Sequence, residues 1–312
     1  MWKKFLLAVI AATAVSGSLM AKELKVLMIG NSFSISVGRF LPQIVGADPE
    51  NKLILTSAYI GGCPLEKHYN CLVKAQEKPS YAPYKITVWD SENNPAKGNA
   101  VMGNIYTLLR DNQYDIIIIQ QSSPNSISFK TFEPYAGNLI KYIREHQKNA
   151  EIIVHQTWAY RIDCPRLPAW GLTQQSMYEK VNKAYRELAE KYQLRVIPMG
   201  DAVQIYRATT PVKYKPLDPT VKYVEPKLPN TSGDVVGLSL WQTTKQKGRH
   251  IHHDSTHLNE HGKYLQAAVW YLFLFDRKAS DIKFIPEIIK KKDALFLQNC
   301  AAQAVEAYQQ VK

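Results

Sequence analysis

The chain has 312 residues, with 39 lysines and arginines against 27 aspartates and glutamates, and a formal net charge of +12. These charges are scattered along the sequence rather than gathered into a basic stripe beside elements that read bases, so the composition argues against a nucleic-acid-binding protein. Beyond the first residues, no apolar stretch reaches the roughly 20 residues that a membrane-spanning helix needs.

Residues 1–21 have the three parts of a secretory signal peptide. Lys3 and Lys4 give a positive start, residues 5–15 are apolar, and Ala21 ends a small-residue cleavage site. Because the apolar part is too short for a membrane anchor, we expect cleavage and a periplasmic or secreted protein. Residues 22–312, with a C-terminal helix at about 285–311, are then expected to form a single domain.

The sequence has four cysteines, which would meet an oxidising compartment after export. An even number permits two disulfides in any of three connectivities. Cys63 and Cys71 are close in sequence and form the first pair to consider, with Cys164 and Cys300 remaining. The alternative is that some of the four are buried thiols.

Short runs rich in valine and isoleucine alternate with helical stretches, which is typical of parallel βαβ units. Strands are predicted at about 24–29, 53–57, 114–119, 152–155 and 195–198, and helices at about 36–46, 99–111, 132–147, 174–192, 259–276 and 285–311. Residues 63–98, which contain one strand-like piece (KITVW), and residues 209–250, which lack a clear period, are predicted to be irregular insertions at the mouth of a site. The pattern predicts an α/β protein, a three-layer α/β/α sandwich with a flavodoxin-like parallel sheet of about five strands.

Ser32 follows the first predicted strand, in the segment Gly30-Asn31-Ser32. This position places a hydroxyl at the carboxyl end of a strand, where open α/β sheets bind ligands. The N-terminus of the next helix would also direct backbone N–H groups at an oxyanion formed there. Serine is equally typical of a helix N-cap, so this segment alone does not decide between a cap and a nucleophile.

Asp254 and His257 lie near the other end of the chain, three residues apart before a predicted helix. This spacing can present both side chains to one side. A carboxylate that orients an imidazole, which in turn takes the proton from a serine, forms a catalytic triad. The sequence therefore predicts Ser32 as nucleophile, His257 as general base and Asp254 as its orienting partner.

Together these segments resemble the SGNH (GDSL-like) hydrolases. Gly30-Asn31-Ser32 is similar to the Gly-Asp-Ser block of that superfamily, and Asp254-Ser255-Thr256-His257 is similar to its final Asp-x-x-His block. The fuller pattern of GNSFS, IGGC, QQxS, HQTWAY and DxTHL resembles a bacterial subgroup catalogued as a domain of unknown function. The resemblance implies an oxyanion hole with the N–H groups of Ser32 and Gly62. Asn31 replaces the usual aspartate, a change expected to affect loop geometry.

The third block of the superfamily is Gly-x-Asn-Asp, whereas the third predicted strand here ends in Gln120-Gln121. The resemblance implies that a glutamine amide donates to the oxyanion instead, and the sequence does not choose between Gln120 and Gln121. Trp158 and Tyr160 follow the fourth strand, at the sheet edge of Ser32. They are expected either to stack on a sugar ring as substrate-binding residues or to pack against an insertion.

The resemblance implies a serine esterase that acts without a cofactor through an acyl-Ser32 intermediate, and residues 1–21 imply that it is exported. The expected substrates are O-acetyl esters, as small molecules or on a polysaccharide. Acyl transfer to a sugar hydroxyl, or glycan binding on a degenerate scaffold, remain alternatives. The histidines between His250 and His261 raise the further alternative of a metal site, but the chain lacks H-E-x-x-H and a second ligand cluster, so no metal is predicted.

Overall fold

The computed structural model describes residues 22–218 and 220–310, so the predicted signal peptide lies outside the described residues. Within these ranges, the main sheet has seven strands in the order β4-β3-β2-β1-β5-β6-β7. The strands are Lys22–Gly30 (β1), Asn51–Tyr59 (β2), Tyr84–Asp90 (β3), Asn99–Gly103 (β4), Ile116–Ile119 (β5), Glu151–His155 (β6) and Arg195–Ile197 (β7).

Five neighbouring strands, from β2 through β1, β5 and β6 to β7, are parallel, and they are the five that the sequence predicted. Strand β5 is a run of four isoleucines, all of them buried, as expected of a central strand that is covered on both faces. The strand order reverses between β1 and β5. Their carboxyl ends therefore form the switch point at which open α/β sheets bind ligands.

Two antiparallel strands, β3 and β4, extend the sheet beyond β2. The prediction of one helix over 99–111 was wrong in its first part, because residues Asn99–Gly103 pair with β3 and helix α4 begins only at Ile105. Strand β4 lies at the sheet edge with most of its residues exposed, so it carries no alternation of apolar and polar residues. The sheet thus has more strands than the sequence predicted.

Helices lie on both sides of the sheet, which confirms the three-layer α/β/α prediction. Helices α2, α8, α9 and α10 pack together, and so do α3, α4 and α5. In the described ranges, no helix is both long and apolar enough to cross a membrane. The helices are Ser32–Ile35 (α1), Leu41–Gly46 (α2), Leu65–Glu77 (α3), Ile105–Asp111 (α4), Tyr135–His146 (α5), Arg166–Ala169 (α6), Gln174–Tyr192 (α7), Met199–Thr209 (α8), Glu260–Phe275 (α9) and Lys291–Gln310 (α10).

The two segments predicted to be irregular contain regular structure. The first contains α3 and also β3, which includes the strand-like piece KITVW, and the second leads into a separate antiparallel hairpin of Val236–Thr244 (β8) and Gly248–Leu258 (β9). Asp254 and His257 lie near the end of β9, and α9 follows from Glu260, close to the predicted helix start at about 259. The hairpin therefore delivers both residues to the sheet edge.

Two buried arginines, Arg161 and Arg207, connect this hairpin to the rest of the protein. The guanidinium of Arg207 contacts the Asp234 carboxylate at 3.0 Å, with both side chains less than a tenth exposed. Arg161 pairs with Asp163 at 2.7 Å, and its backbone N–H donates to the carbonyl of Ser255 at 2.9 Å. The Arg207–Asp234 pair joins α8 to the residues just before β8, and the backbone bond of Arg161 joins β9 to the loop after β6. Removing one partner of a buried ion pair typically destabilises a protein by about 3–5 kcal/mol.

The four cysteines are free thiols in the described part of the chain, and all of them are buried. The expected Cys63–Cys71 disulfide is therefore absent, and the alternative of buried thiols describes these residues. The thiol of Cys71 lies 3.7 Å from the Tyr81 hydroxyl, and that of Cys300 lies 3.9 Å from the Thr209 hydroxyl. Burial raises the pKa of Cys63 to about 12, which keeps its thiol protonated.

Candidate active site

Ser32 is the first residue of α1, and Asn31 is the N-cap of that helix. The side-chain oxygen of Asn31 accepts from the Phe33 N–H at 3.0 Å, so the cap is Asn31 and the Ser32 hydroxyl is left for another partner. The turn is tight: a Cβ on Gly30 would lie 2.2 Å from the Ser34 hydroxyl oxygen. A side chain at position 30 would therefore displace the Ser34 hydroxyl, which donates to the Asn31 carbonyl at 3.1 Å.

The structure brings Ser32, His257 and Asp254 together. Nε2 of His257 lies 2.8 Å from the Ser32 hydroxyl oxygen, and its Nδ1 lies 2.7 Å from Oδ2 of Asp254. A serine hydroxyl can donate to Nε2 only when that nitrogen is bare, which leaves the proton of the neutral ring on Nδ1, facing the carboxylate. The His257 side chain is 41% exposed, so solvent and substrate can reach it.

The carboxylate of Asp254 is held by the turn that follows it. Its Oδ1 accepts from the backbone N–H groups of Thr256 at 2.8 Å and of His257 at 3.0 Å. Burial alone would raise the pKa of Asp254, but these bonds and the one from the His257 ring outweigh it and hold the pKa well below its usual value. The group is therefore a carboxylate at neutral pH.

Of the two alternatives for Trp158 and Tyr160, the structure agrees with packing rather than with stacking on a sugar, because both side chains are fully buried. Trp158 stacks on Phe33 with ring centroids 4.3 Å apart, and its indole N–H donates to the carbonyl of Thr256 at 2.9 Å. Tyr160 forms a hydrogen bond of 2.6 Å with the Ser123 hydroxyl. Through this bond to Thr256, Trp158 stabilises the turn between Asp254 and His257.

Gly62 lies in the turn after β2, where the N–H of Cys63 donates to the carbonyl of Ile60 at 3.3 Å. Its φ of +60° is a conformation that favours glycine, and no heavy atom lies within 4 Å of a Cβ built there. The side-chain amide of Asn31 donates to the carbonyl of Cys63 at 3.1 Å. One residue, Asn31, therefore joins this turn to the nucleophile loop.

The structure also corrects the expectation for the two glutamines, since both are fully buried with amides bonded elsewhere. The amide of Gln121 accepts from the Leu65 N–H at 3.0 Å and donates to the Thr131 carbonyl at 2.8 Å, so this residue anchors the start of α3 instead of facing an oxyanion. The amide nitrogen of Gln120 donates to Oδ1 of Asn31 at 3.1 Å. Gln120 thus contacts the nucleophile loop through its N-cap.

The histidines of β9 have separate partners. His250 contacts the carbonyl of Gly248 at 3.0 Å, and His253 contacts the Ser239 hydroxyl at 3.0 Å. Among residues 22–218 and 220–310, no group of three or more histidine, cysteine, aspartate or glutamate side chains could hold a metal ion.

Two residues that the sequence analysis did not single out lie beneath the nucleophile loop. His155 ends β6 and Gln266 lies in the middle of α9, and both side chains are completely buried. A signal for Gln266 is present in the sequence, since it is a polar residue within the otherwise apolar run of α9. A buried amide needs hydrogen-bond partners, so its position predicts a polar contact across the core.

Comparison with known proteins identifies a family for most of the chain. The model of the Domain of unknown function (DUF4886) matches residues 25–215, which includes Ser32 and Gly62 and ends before the hairpin. The chain is similar to a DUF4886 family protein from Bacteroides uniformis ATCC 8492, with 25% identity, a TM-score of 0.72, and coverage of 91% of this chain and 95% of the other.

Two further solved structures are more distant. A proposed SGNH hydrolase from Slackia heliotrinireducens has 16% identity and a TM-score of 0.46 over 79% of this chain and 96% of its own. A proposed GDSL-like lipase from Parabacteroides merdae ATCC 43184 has 12% identity and a TM-score of 0.44 over 81% and 95%. No curated protein matches the chain. Because the family model matches more than half of the sequence, the chain belongs to the family of the Domain of unknown function (DUF4886).

Proposed function

We propose that this protein is a serine esterase of the SGNH type. The observation that carries the proposal is the continuous series of hydrogen bonds from Asp254 to His257 to Ser32, at 2.7 and 2.8 Å. Both distances lie within the reach that proton transfer requires. The resemblance of the segments around Ser32 and Asp254 to the first and last SGNH blocks supports the same assignment.

In this mechanism, Nε2 of His257 takes the proton of the Ser32 hydroxyl as the oxygen attacks the ester carbonyl. Asp254 stabilises the imidazolium that forms. The ring then returns its proton to the departing alcohol, which leaves an acyl group on Ser32. Water, deprotonated by the same ring, hydrolyses this acyl-enzyme and restores the serine. Every proton that leaves one group is accepted by another, so no cofactor is needed.

The oxyanion of the tetrahedral intermediate needs donors that are free of other bonds. In α1, the N–H groups of Phe33, Ser34 and Ile35 all donate to Asn31. The Ser32 N–H has no partner among the described residues, and we assign it and the Gly62 N–H to the oxyanion hole. Removing one donor of this kind typically lowers kcat on the order of 10²–10³.

The proposal extends to an exported enzyme acting on O-acetyl esters of a carbohydrate. Export rests on residues 1–21, and the acyl and sugar classes rest on the resemblance to SGNH hydrolases. The exposure of His257, 41% of its side chain, gives a bulky polymer room to approach the serine. Hydrolysis of acetylated xylan and of acetylated small glycosides, each followed by acetate release, tests the substrate class.

Hydrolysis of p-nitrophenyl acetate tests the reaction itself. Ser32→Ala and His257→Asn should each lower kcat by more than about 10³-fold, because the triad acts as a unit. His253→Asn is the matched control, since it changes a histidine of the same strand whose ring contacts Ser239. A fluorophosphonate should label Ser32, and exhaustive EDTA treatment should leave the activity in place. Full activity of Ser32→Ala would refute the serine mechanism. So would a wild-type activity that is lost with EDTA and returns with zinc.

A further inference from the structure

A series of buried amide groups starts at Asn31, whose orientation is fixed by the backbone. Its Oδ1 accepts from the N–H of Phe33, which can only donate, and its Nδ2 donates to the carbonyl of Cys63, which can only accept. The side chain is 1% exposed, so water does not compete for these contacts.

The next two groups follow from this orientation. Oδ1 of Asn31 accepts from the amide nitrogen of Gln120 at 3.1 Å, so the carbonyl oxygen of that glutamine faces the other way. This oxygen lies 3.4 Å from Nδ1 of His155. Because a carbonyl oxygen only accepts, Nδ1 of His155 must carry the proton.

The same conclusion comes independently from α9. The amide nitrogen of Gln266 donates to the carbonyl of Phe33 at 2.8 Å, and its oxygen accepts from the Ser36 hydroxyl at 2.6 Å. That nitrogen also lies 3.3 Å from Nε2 of His155. Since the amide nitrogen only donates, Nε2 must be bare. Both sides of the ring thus require one neutral tautomer.

These bonds close a ring that begins at the Phe33 N–H and ends at the Phe33 carbonyl. We propose that Gln120 and His155 are positioning residues that act through Asn31 to fix the nucleophile loop and the Gly62 turn, and that Gln266 contacts the Phe33 carbonyl directly and selects the tautomer of His155. This role rests on the proposed esterase function. Complete burial independently lowers the pKa of His155 to about 3, which keeps its imidazole neutral, as the ring requires.

Two substitutions of His155 separate positioning from simple core packing. In His155→Asn, the side-chain amide reaches the position of Nδ1 and can still donate to Gln120. In His155→Gln, the amide reaches the position of Nε2 and cannot donate to Gln120. We expect kcat of His155→Asn within about tenfold of wild type and kcat of His155→Gln lower on the order of 10²-fold, because misplacement by about 1 Å has that effect. KM should change little in both. Equal kcat values, or a loss confined to KM, would overturn the proposal.

Asn31→Asp tests the bond to the Gly62 turn, because aspartate keeps both acceptor contacts and loses only the donor to Cys63. Asn104→Asp is the matched control: Asn104 also caps a helix through Thr107, at 2.8 Å, and donates to the carbonyl of Pro79, at 2.8 Å. We expect kcat on the order of 10²-fold lower for Asn31→Asp and unchanged for Asn104→Asp. Similar kcat values for the two would refute the role of Asn31.

The tautomer of His155 can be measured without any substrate. In the nitrogen spectrum of protein labelled with ¹⁵N-histidine, the His155 signals are those that His155→Asn lacks. At neutral pH they should show a protonated Nδ1 and a bare Nε2. The opposite tautomer, or a doubly protonated ring, would overturn the ring of hydrogen bonds. If the wild-type protein shows no Ser32-dependent hydrolysis, the proposed esterase function is refuted. The tautomer of His155 then remains the test of the ring of hydrogen bonds.

Discussion

Asp254→Asn separates two contributions that the carboxylate makes to the proposed mechanism. An asparagine can keep the acceptor that receives the Thr256 and His257 N–H groups, which lie 2.8 and 3.0 Å away. Its NH₂ group would then face Nδ1 of His257, where Oδ2 now accepts. A donor there favours the ring with its proton on Nε2, and that nitrogen can no longer take the proton of Ser32.

The size of the loss distinguishes the two contributions. A hydrogen bond to a charged group contributes about 1.5–3 kcal/mol, so its removal alone would lower kcat roughly 10- to 100-fold. Reversal of the tautomer lowers kcat on the order of 10⁴, as in the serine protease triad, which corresponds to about 5 kcal/mol. We expect the larger value, since the backbone contacts that survive hold the asparagine in the unfavourable orientation.

Steady-state hydrolysis of p-nitrophenyl acetate by Asp254→Asn, compared with wild type, measures this loss. Asp201→Asn is a suitable control, because Asp201 also accepts two side-chain bonds, from Tyr178 and Asn182 at 2.7 Å each, on helix α8. Thermal melting of both variants shows whether the fold persists. A kcat for Asp254→Asn within tenfold of wild type would show that the carboxylate does not set the tautomer and would refute the reasoning.

Gly62→Ala should lower the free energy of unfolding by about 1–2 kcal/mol, because an L-residue is strained at positive φ. It should also lower kcat on the order of 10²-fold, because the strain would shift the Gly62 N–H. An unchanged kcat in the folded variant would contradict the oxyanion assignment. Folding lowers the pKa of Asp254 below its usual 3.8, so the ionised carboxylate stabilises the folded state above pH 3.8. This stabilisation is lost as the pH falls towards the pKa in the folded protein. In urea titrations, the free energy of unfolding should therefore fall less on acidification for Asp254→Asn than for wild type. A thiol reagent should react with none of the four buried cysteines in the native protein and with all of them in urea; two thiols in urea would indicate a disulfide.

The parallel strands could be predicted because they are buried on both faces and read as apolar runs, of which β5 is the clearest. The elements that were missed lack that signal. Helix α3 has buried residues at a helical period, but two of them, His68 and Cys71, are not aliphatic. Strand β9 is polar, and most of its residues are either exposed or half-buried. A pattern of apolar residues identifies an element only where burial demands apolar residues.

The errors in the site follow from the errors in the fold. Gln121 remained a candidate for the oxyanion hole beside Gln120 because α3, whose residue Leu65 donates to its amide, was not predicted. The choice between sugar stacking and packing for Trp158 stayed open because the hairpin that supplies the Thr256 carbonyl was not predicted either. Ser32, Asp254 and His257 could be named without these elements, since their motifs are short and lie in single segments.

The two departures from the SGNH pattern, Asn31 in the first block and Gln120 in the third, contact each other at 3.1 Å. Aspartate at position 31 could accept from both Phe33 and Gln120, but its second oxygen would face the carbonyl of Cys63, where Asn31 now donates at 3.1 Å. Two acceptors in a buried site repel each other and leave both groups without a donor. The asparagine is therefore required by the turn that holds Gly62, and Gln120 stabilises the orientation in which that asparagine can donate.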